Sequence, residues 1–166
     1  VMETKTGQIK AISNLGRDTD GSYYETTNYA YTESHEPGST FKLVDMMILL
    51  EDKKIDTSAV FNTYAGVVKY SGKSVRDSHE GGYGKISLAR GFEVSSNTVL
   101  VQAVYNNYKN NPSQFVNHIN AIGLNKKLGL EFKGEGTPYI PQPSDKNWSN
   151  LSLPWMAFGY GVSVTP

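Results

Sequence analysis

The chain contains no cysteine. That excludes disulfides, thiolate nucleophiles and cysteine-based metal sites, and suits an oxidising compartment without requiring one. It has no net charge. Sixteen basic and sixteen acidic residues cancel, and Lys53-Lys54 and Lys126-Lys127 are the longest basic runs, so neither a nucleic acid nor a membrane surface is indicated as partner. No spanning segment is expected in these residues, the apolar run at 43–50 being far too short to cross a bilayer, and no signal-peptide pattern is read in them. Histidine is scarce. Residues 35, 79 and 118 show neither metal spacing nor an H-E-x-x-H pattern, and are expected on loops or the surface. No metal and no cofactor is therefore expected, and there is no internal repeat or low-complexity tract.

The 166 residues are one domain's worth of chain, enough for one core. The chain opens inside an apparent strand, Val1-Met2-Glu3-Thr4, and stops at Val164-Thr165-Pro166 with no tail composition, as an excised part of a larger protein would. The stretch that organises the rest is Glu36-Pro37-Gly38-Ser39-Thr40-Phe41-Lys42, followed by Leu43 to Leu50. Pro37 and Gly38 make a turn, and the apolar run predicts a buried helix from about Ser39 to Lys54. Ser39 and Lys42 are three residues apart, so one helical turn puts both on one face. A serine hydroxyl becomes a nucleophile when a base takes its proton, and burial together with the helix dipole lowers a lysine pKa toward that task. The helix start also offers backbone N–H groups to a developing oxyanion. On its own the tetrad is equally satisfied by a plain N-cap and a snorkelling lysine, since roughly one S-x-x-K is expected by chance in a chain of this length.

The remaining elements follow from pattern. Residues 1–15 predict a β-hairpin around Lys5-Thr6-Gly7-Gln8, and 16–35 an irregular loop. Asp18-Thr19-Asp20-Gly21 begins like a calcium loop, yet its Gly comes early and its twelfth position is Tyr29. Short β-rich pieces occupy 57–86. Helical patterns run through Ile86–Val94 and Thr98–Tyr108, broken at Ser95-Ser96-Asn97, and again from Pro112 to Gly123. Residues 124–154 are loop-dominated with prolines at 138, 141, 143 and 154, and the apolar end from Trp155 onward is expected to be buried. The triplet in the helix break reads either as simple capping or as a turn that brings a hydroxyl and an amide into a cleft.

Together these residues resemble the transpeptidase domain of class B penicillin-binding proteins, whose signature is S-x-x-K, S-x-N and K-T-G. Val1 to Ile12 is similar to that family's opening hairpin. Glu36 to Lys42 reproduces its EPGSTFK string, and Phe158-Gly159-Tyr160-Gly161-Val162-Ser163-Val164-Thr165-Pro166 resembles its FGQGISVTP segment, with Tyr160 where Gln is usual. The resemblance implies that Ser39 is the acylated nucleophile, Lys42 its general base and Ser95 a proton relay, and that Asn97, with Ser96, binds the substrate. It implies a peptidoglycan D,D-transpeptidase that cross-links stem peptides through an acyl-enzyme and is acylated by β-lactams. Its parent would be membrane-anchored, on the extracytoplasmic (periplasmic) face, within a cell-wall synthesis complex. A β-lactamase or β-lactam sensor of the same fold, or a non-catalytic scaffold that binds wall peptides, are the alternatives.

One motif departs from the pattern. The K-T-G here, Lys5-Thr6-Gly7, precedes the nucleophile and reads as turn chemistry. The expected fold is α+β: a mostly helical, partial transpeptidase domain over 1–166, with the N-terminal hairpin as remnant of the antiparallel sheet. Without the usual K-T-G strand this piece is expected to be inactive by itself. The hairpin and the helix at 43–50 would then expose apolar surface, inviting self-association.

Overall fold

The computed structural model describes residues 1–25, 27–129 and 133–165. The described residues form six short strands and six helices: β1 (Leu15–Arg17), β2 (Tyr23–Glu25), α1 (Tyr29–Thr32), α2 (Lys42–Glu51), β3 (Val60–Asn62), β4 (Val67–Tyr70), β5 (Lys73–Arg76), β6 (Lys85–Ser87), α3 (Leu88–Glu93), α4 (Asn97–Tyr108), α5 (Pro112–Ile122) and α6 (Ser152–Met156). Single 3-10 turns precede α2 and β4. The strands pair as three antiparallel ribbons, β1 with β2, β3 with β6 and β4 with β5. The α+β expectation holds, with helices supplying the core. Among the described residues no helix is long and apolar enough to cross a membrane.

The centre of the core is α4. Val99, Leu100, Val101, Ala103, Val104 and Tyr108 are completely buried, because α2, α3, α5 and α6 pack around this helix. The unbroken run Val99-Leu100-Val101 faces several directions at once, so this part of the helix lies inside, while Asn106 near its far end stays exposed. Its start is set locally, as Ser96 accepts a hydrogen bond from the Val99 N–H at 3.2 Å. Ser87 caps α3 in the same way through the Arg90 N–H at 3.1 Å. Gly91 lets α3 lie against α4, since a Cβ there would stand 2.4 Å from the Val99 side chain. Pro112 opens α5 and left-handed Gly123 closes it, as the sequence predicts.

Several boundaries differ from expectation. The hairpin of residues 1–15 turns where predicted, with the Gly7 N–H donating to the Glu3 carbonyl at 2.8 Å, but a single bridge, Met2 to Ile9, joins its arms. Val1, Met2 and Ile9 are exposed, and a two-stranded hairpin without a covered face pairs weakly. The predicted loop 16–35 instead contains the β1–β2 ribbon and α1. The ribbon's turn is closed by Asp18 and Asp20, whose carboxylates accept from the Thr19 N–H at 2.6 Å and the Ser22 N–H at 2.8 Å. Those carboxylates close a turn, and the exposed ribbon gave no burial rhythm to read. The helix α2 stops at Glu51, before Lys53 takes a positive φ of 50°. Pro154 lies inside α6 rather than in a loop, within its first turn where a missing N–H is tolerated. His118 is not a surface loop residue: it sits on α5, bonded to Asp52 at 2.7 Å.

Candidate active site

The 3-10 turn Gly38–Phe41 runs directly into α2, placing Ser39 one turn before Lys42. The turn is held from behind by the segment after α6. The Gly38 N–H donates to the Gly159 carbonyl at 3.1 Å, the Gly161 N–H donates to Glu36 Oε1 at 2.8 Å, and His35 and Val164 form a two-bond bridge. Gly159 is required there. Its φ is +82° and a Cβ would fall 1.9 Å from the Gly38 carbonyl oxygen. Ser39 itself is exposed, with its hydroxyl at the surface.

Lys42 is only 1 % exposed. Its amine donates to the Ser95 carbonyl at 2.6 Å and to Ser95 Oγ at 2.9 Å. Burial lowers its pKa from 10.5 to about 8, against the opposing pull of Asp77 and Asp45. At neutral pH about one amine in ten is then an unprotonated base. Among the described residues no hydrogen bond joins Ser39 Oγ to the amine.

The polar triplet lies between α3 and α4, and its three residues divide. Ser95 is exposed and holds a left-handed φ of 55°, a conformation a side chain resists and the amine's bond to its carbonyl helps retain. Ser96 is buried. Its hydroxyl donates to Asp77 Oδ1 at 3.0 Å, lies 3.1 Å from Thr98 Oγ1 and caps α4, so the geometry gives it a structural task. Asn97 donates through Nδ2 to the Arg76 carbonyl at 2.7 Å, and its Oδ1 has no partner among the described residues. The structure thus brings Lys42 and Ser95 into contact and sets Asn97 beside them on the same turn.

Two acids near the lysine were given no role by sequence reasoning. Asp77, after β5, accepts from the Thr98 N–H at 2.9 Å, Thr98 Oγ1 at 2.8 Å and Ser96 Oγ, and so ties the triplet to the β4–β5 ribbon. Asp45 is fully buried on α2. The one available signal was a carboxylate inside the run Leu43-Val44-Asp45-Met46-Met47-Ile48. Lys5-Thr6-Gly7 forms the turn of the N-terminal hairpin, Thr6 Oγ1 bonding the Glu3 carboxylate, as the turn reading expects. Among the described residues no cluster of His, Asp and Glu could hold a metal ion.

An exposed serine hydroxyl thus stands one helical turn from a buried lysine of lowered pKa, which is bonded to a second serine on a left-handed turn. A family model described as the penicillin binding protein transpeptidase domain matches residues 1–166. The chain belongs to that family. Stage V sporulation protein D of Bacillus subtilis is 28% identical over 172 residues, covering 99% of this chain and 26% of that protein. Peptidoglycan D,D-transpeptidase FtsI of Escherichia coli K12 is 26% identical over 171 residues, covering 100% of this chain and 28% of that protein. The chain spans between about a quarter and a third of these curated relatives. Among solved structures, the TP domain of Burkholderia pseudomallei penicillin-binding protein 3 superposes with a TM-score of 0.73 at 24% identity, covering 83% of this chain and 40% of that one. A peptidoglycan synthetase from Bifidobacterium adolescentis gives 0.73 at 26%, covering 87% and 27%. This family membership accords with the signature strings at 36–42, 95–97 and 158–165.

Proposed function

We propose that this chain carries the nucleophile half of a peptidoglycan D,D-transpeptidase. The observation that carries the reading is the buried Lys42 amine bonded to Ser95, one helical turn below the exposed Ser39. Lys42 takes the Ser39 proton as Oγ attacks the D-Ala-D-Ala amide of a stem peptide. Ser95 passes that proton to the departing D-Ala amine, and Asn97 Oδ1 accepts from the substrate backbone. The amine of a second stem peptide then resolves the ester. β-Lactams acylate the same serine because their strained amide stands in for the scissile one.

The proposed setting is the periplasmic face of the membrane, in a wall-synthesis complex. Support comes from the relatives named as peptidoglycan transpeptidases. Exposed Leu43, Met47 and Leu50 on α2 and Val1 and Met2 on the N-terminal hairpin support self-association of the 166-residue piece, which light scattering at high concentration tests: a single-chain mass refutes it.

The decisive experiment labels the full-length protein with a fluorescent penicillin and maps the adduct by mass spectrometry. The expected adduct is on Ser39, abolished by Ser39→Ala with thermal stability retained. An adduct elsewhere, or none, overturns the reading. Rapid hydrolysis of that adduct would show a β-lactamase instead, and a folded protein that never labels, a scaffold.

A further inference from the structure

The turn that carries Ser95 is gripped by two elements besides α2. From α3 the grip is backbone: the Ser95 N–H donates to the Phe92 carbonyl at 3.0 Å and the Ser96 N–H to the Gly91 carbonyl at 2.8 Å. From the end of the β4–β5 ribbon it is a single carboxylate. Asp77 Oδ1 accepts from the Thr98 N–H at 2.9 Å and from Ser96 Oγ at 3.0 Å, and Oδ2 accepts from Thr98 Oγ1 at 2.8 Å. Asp77 is itself fixed, since its N–H donates to the Gly66 carbonyl at 2.9 Å and the adjoining Arg76 carbonyl accepts from Asn97 Nδ2 at 2.7 Å.

The first free N–H groups of α4 are therefore divided between a local cap and a distant one. Ser96 takes the Val99 N–H, and Asp77, 21 residues before Thr98, takes that of Thr98. Ser96 and Thr98 are buried, so neither hydroxyl has water as a substitute acceptor. Ser95 adjoins this knot. It holds a φ of 55°, and its carbonyl and hydroxyl meet the Lys42 amine at 2.6 and 2.9 Å. A side chain in that backbone region persists only where the surroundings over-determine it. The charge of Asp77 is not what the site gains. It raises the affinity of Lys42 for its proton, against the burial that lowers it. What Asp77 contributes is the placement of its acceptors.

We propose that Asp77 is a positioning residue for the acylation step: by clamping Ser96 and Thr98 to the ribbon, it holds Ser95 in the left-handed turn where its hydroxyl meets Lys42. The inference rests on the reading of Ser39 as nucleophile, with Lys42 and Ser95 handling its proton. Asp77→Asn keeps the clamp. The amide oxygen accepts from the Thr98 N–H and Ser96 Oγ, the amide nitrogen donates to Thr98 Oγ1, and the Thr98 hydroxyl turns to donate to Ser96 Oγ, 3.1 Å away. Asp77→Glu keeps the charge and both acceptors but carries them one methylene further, out of register with the turn.

The test compares the full-length protein with Asp77→Asn and Asp77→Glu, each alone and combined with Ser95→Ala. Two readouts are taken: the rate constant of labelling by a saturating fluorescent penicillin, and the Lys42–Ser95 contact in crystal structures of the two single variants. A rate constant reports folded molecules, so lower stability by itself does not move it. Asp77→Asn is expected to label at near the wild-type rate with the contact intact. Asp77→Glu is expected to label roughly ten- to a hundredfold more slowly, with the contact opened. Once Ser95→Ala has removed the hydroxyl, Asp77→Glu should slow labelling little further, whereas an effect that bypasses Ser95 would multiply through. The proposal is overturned by Asp77→Asn labelling as slowly as Asp77→Glu, by Asp77→Glu labelling as fast as wild type, or by a slow Asp77→Glu variant whose contact is intact. A double variant showing the full product of the two losses overturns it as well. If the wild type itself never labels, the assignment of Ser39 and Lys42 fails instead, and the crystal contacts still decide whether Asp77 sets the turn.

Discussion

At the scale of single residues the site depends on two groups held where they are individually unfavourable. Lys42 is a cation drawn into the interior, and its lowered pKa of about 8 makes the unprotonated amine accessible near neutrality. Since the base form is the active one, labelling of Ser39 should climb from pH 7 to pH 9 with its midpoint near 8, measured as an acylation rate in buffers of constant ionic strength. A profile flat across that range would contradict Lys42 as base. Ser95 is the second case. Its left-handed backbone suits glycine, so Ser95→Gly is expected to raise stability by about 1 kcal/mol in urea unfolding. The same change removes the hydroxyl that Lys42 meets at 2.9 Å and should slow acylation by roughly a hundredfold. Stability and activity should move in opposite directions at this position.

At the scale of elements, two junctions keep the nucleophile turn and α2 in place. The first is the backbone contact between Gly38 and Gly159. Gly159→Ala meets both a positive φ and the Gly38 carbonyl, so it should cost roughly 2–3 kcal/mol or displace the turn, lowering labelling even where the protein stays folded. The second is the knot at the end of α2. Asp52 Oδ2 accepts from Tyr108 OH at 2.8 Å and Gln114 Nε2 at 2.9 Å, while Oδ1 meets His118 Nε2 at 2.7 Å, fastening α2 to α4 and α5. Burial pushes the Asp52 carboxyl up, but the bonds from Tyr108 and His118, with the charges of His118 and Lys54, outweigh it and hold it below the usual value. A depressed carboxylate stabilises at neutral pH, and that contribution fades as pH falls below about 4 through its folded value. Asp52→Ala leaves Gln114 without its acceptor and Tyr108 OH with only a long contact to the Ile48 carbonyl at 3.4 Å, and should cost about 2–4 kcal/mol at pH 7, by thermal or urea unfolding. The penalty should shrink in acid. An equal penalty at pH 3 would show that packing, not the carboxylate, is what matters there.

At the scale of the whole molecule, the helical core around α4 carries the site on its rim. Ser39 and Ser95 stay exposed while the Lys42 amine, bonded to Ser95, is buried beneath. Much of this was legible in order of chain. The apolar run after Phe41 and Pro112 with Gly123 are local signals, and local signals survive without tertiary context. The β1–β2 ribbon was missed because its residues are exposed on both faces. His118 was misplaced because an isolated histidine says nothing about an aspartate 66 residues earlier.

What the sequence by itself determined was the spacing of the groups proposed to react. A serine and a lysine one turn apart at the head of an apolar helix share a face whatever surrounds them, because helical periodicity is a property of the backbone. Tertiary packing alone decided their chemistry. The Lys42–Ser95 contact bridges 53 residues, and exists because α4 docks on α2 and pins the turn before it. That same packing withdraws water from Lys42 and Asp45, and burial is what moves their proton affinities, an effect no spacing of letters encodes.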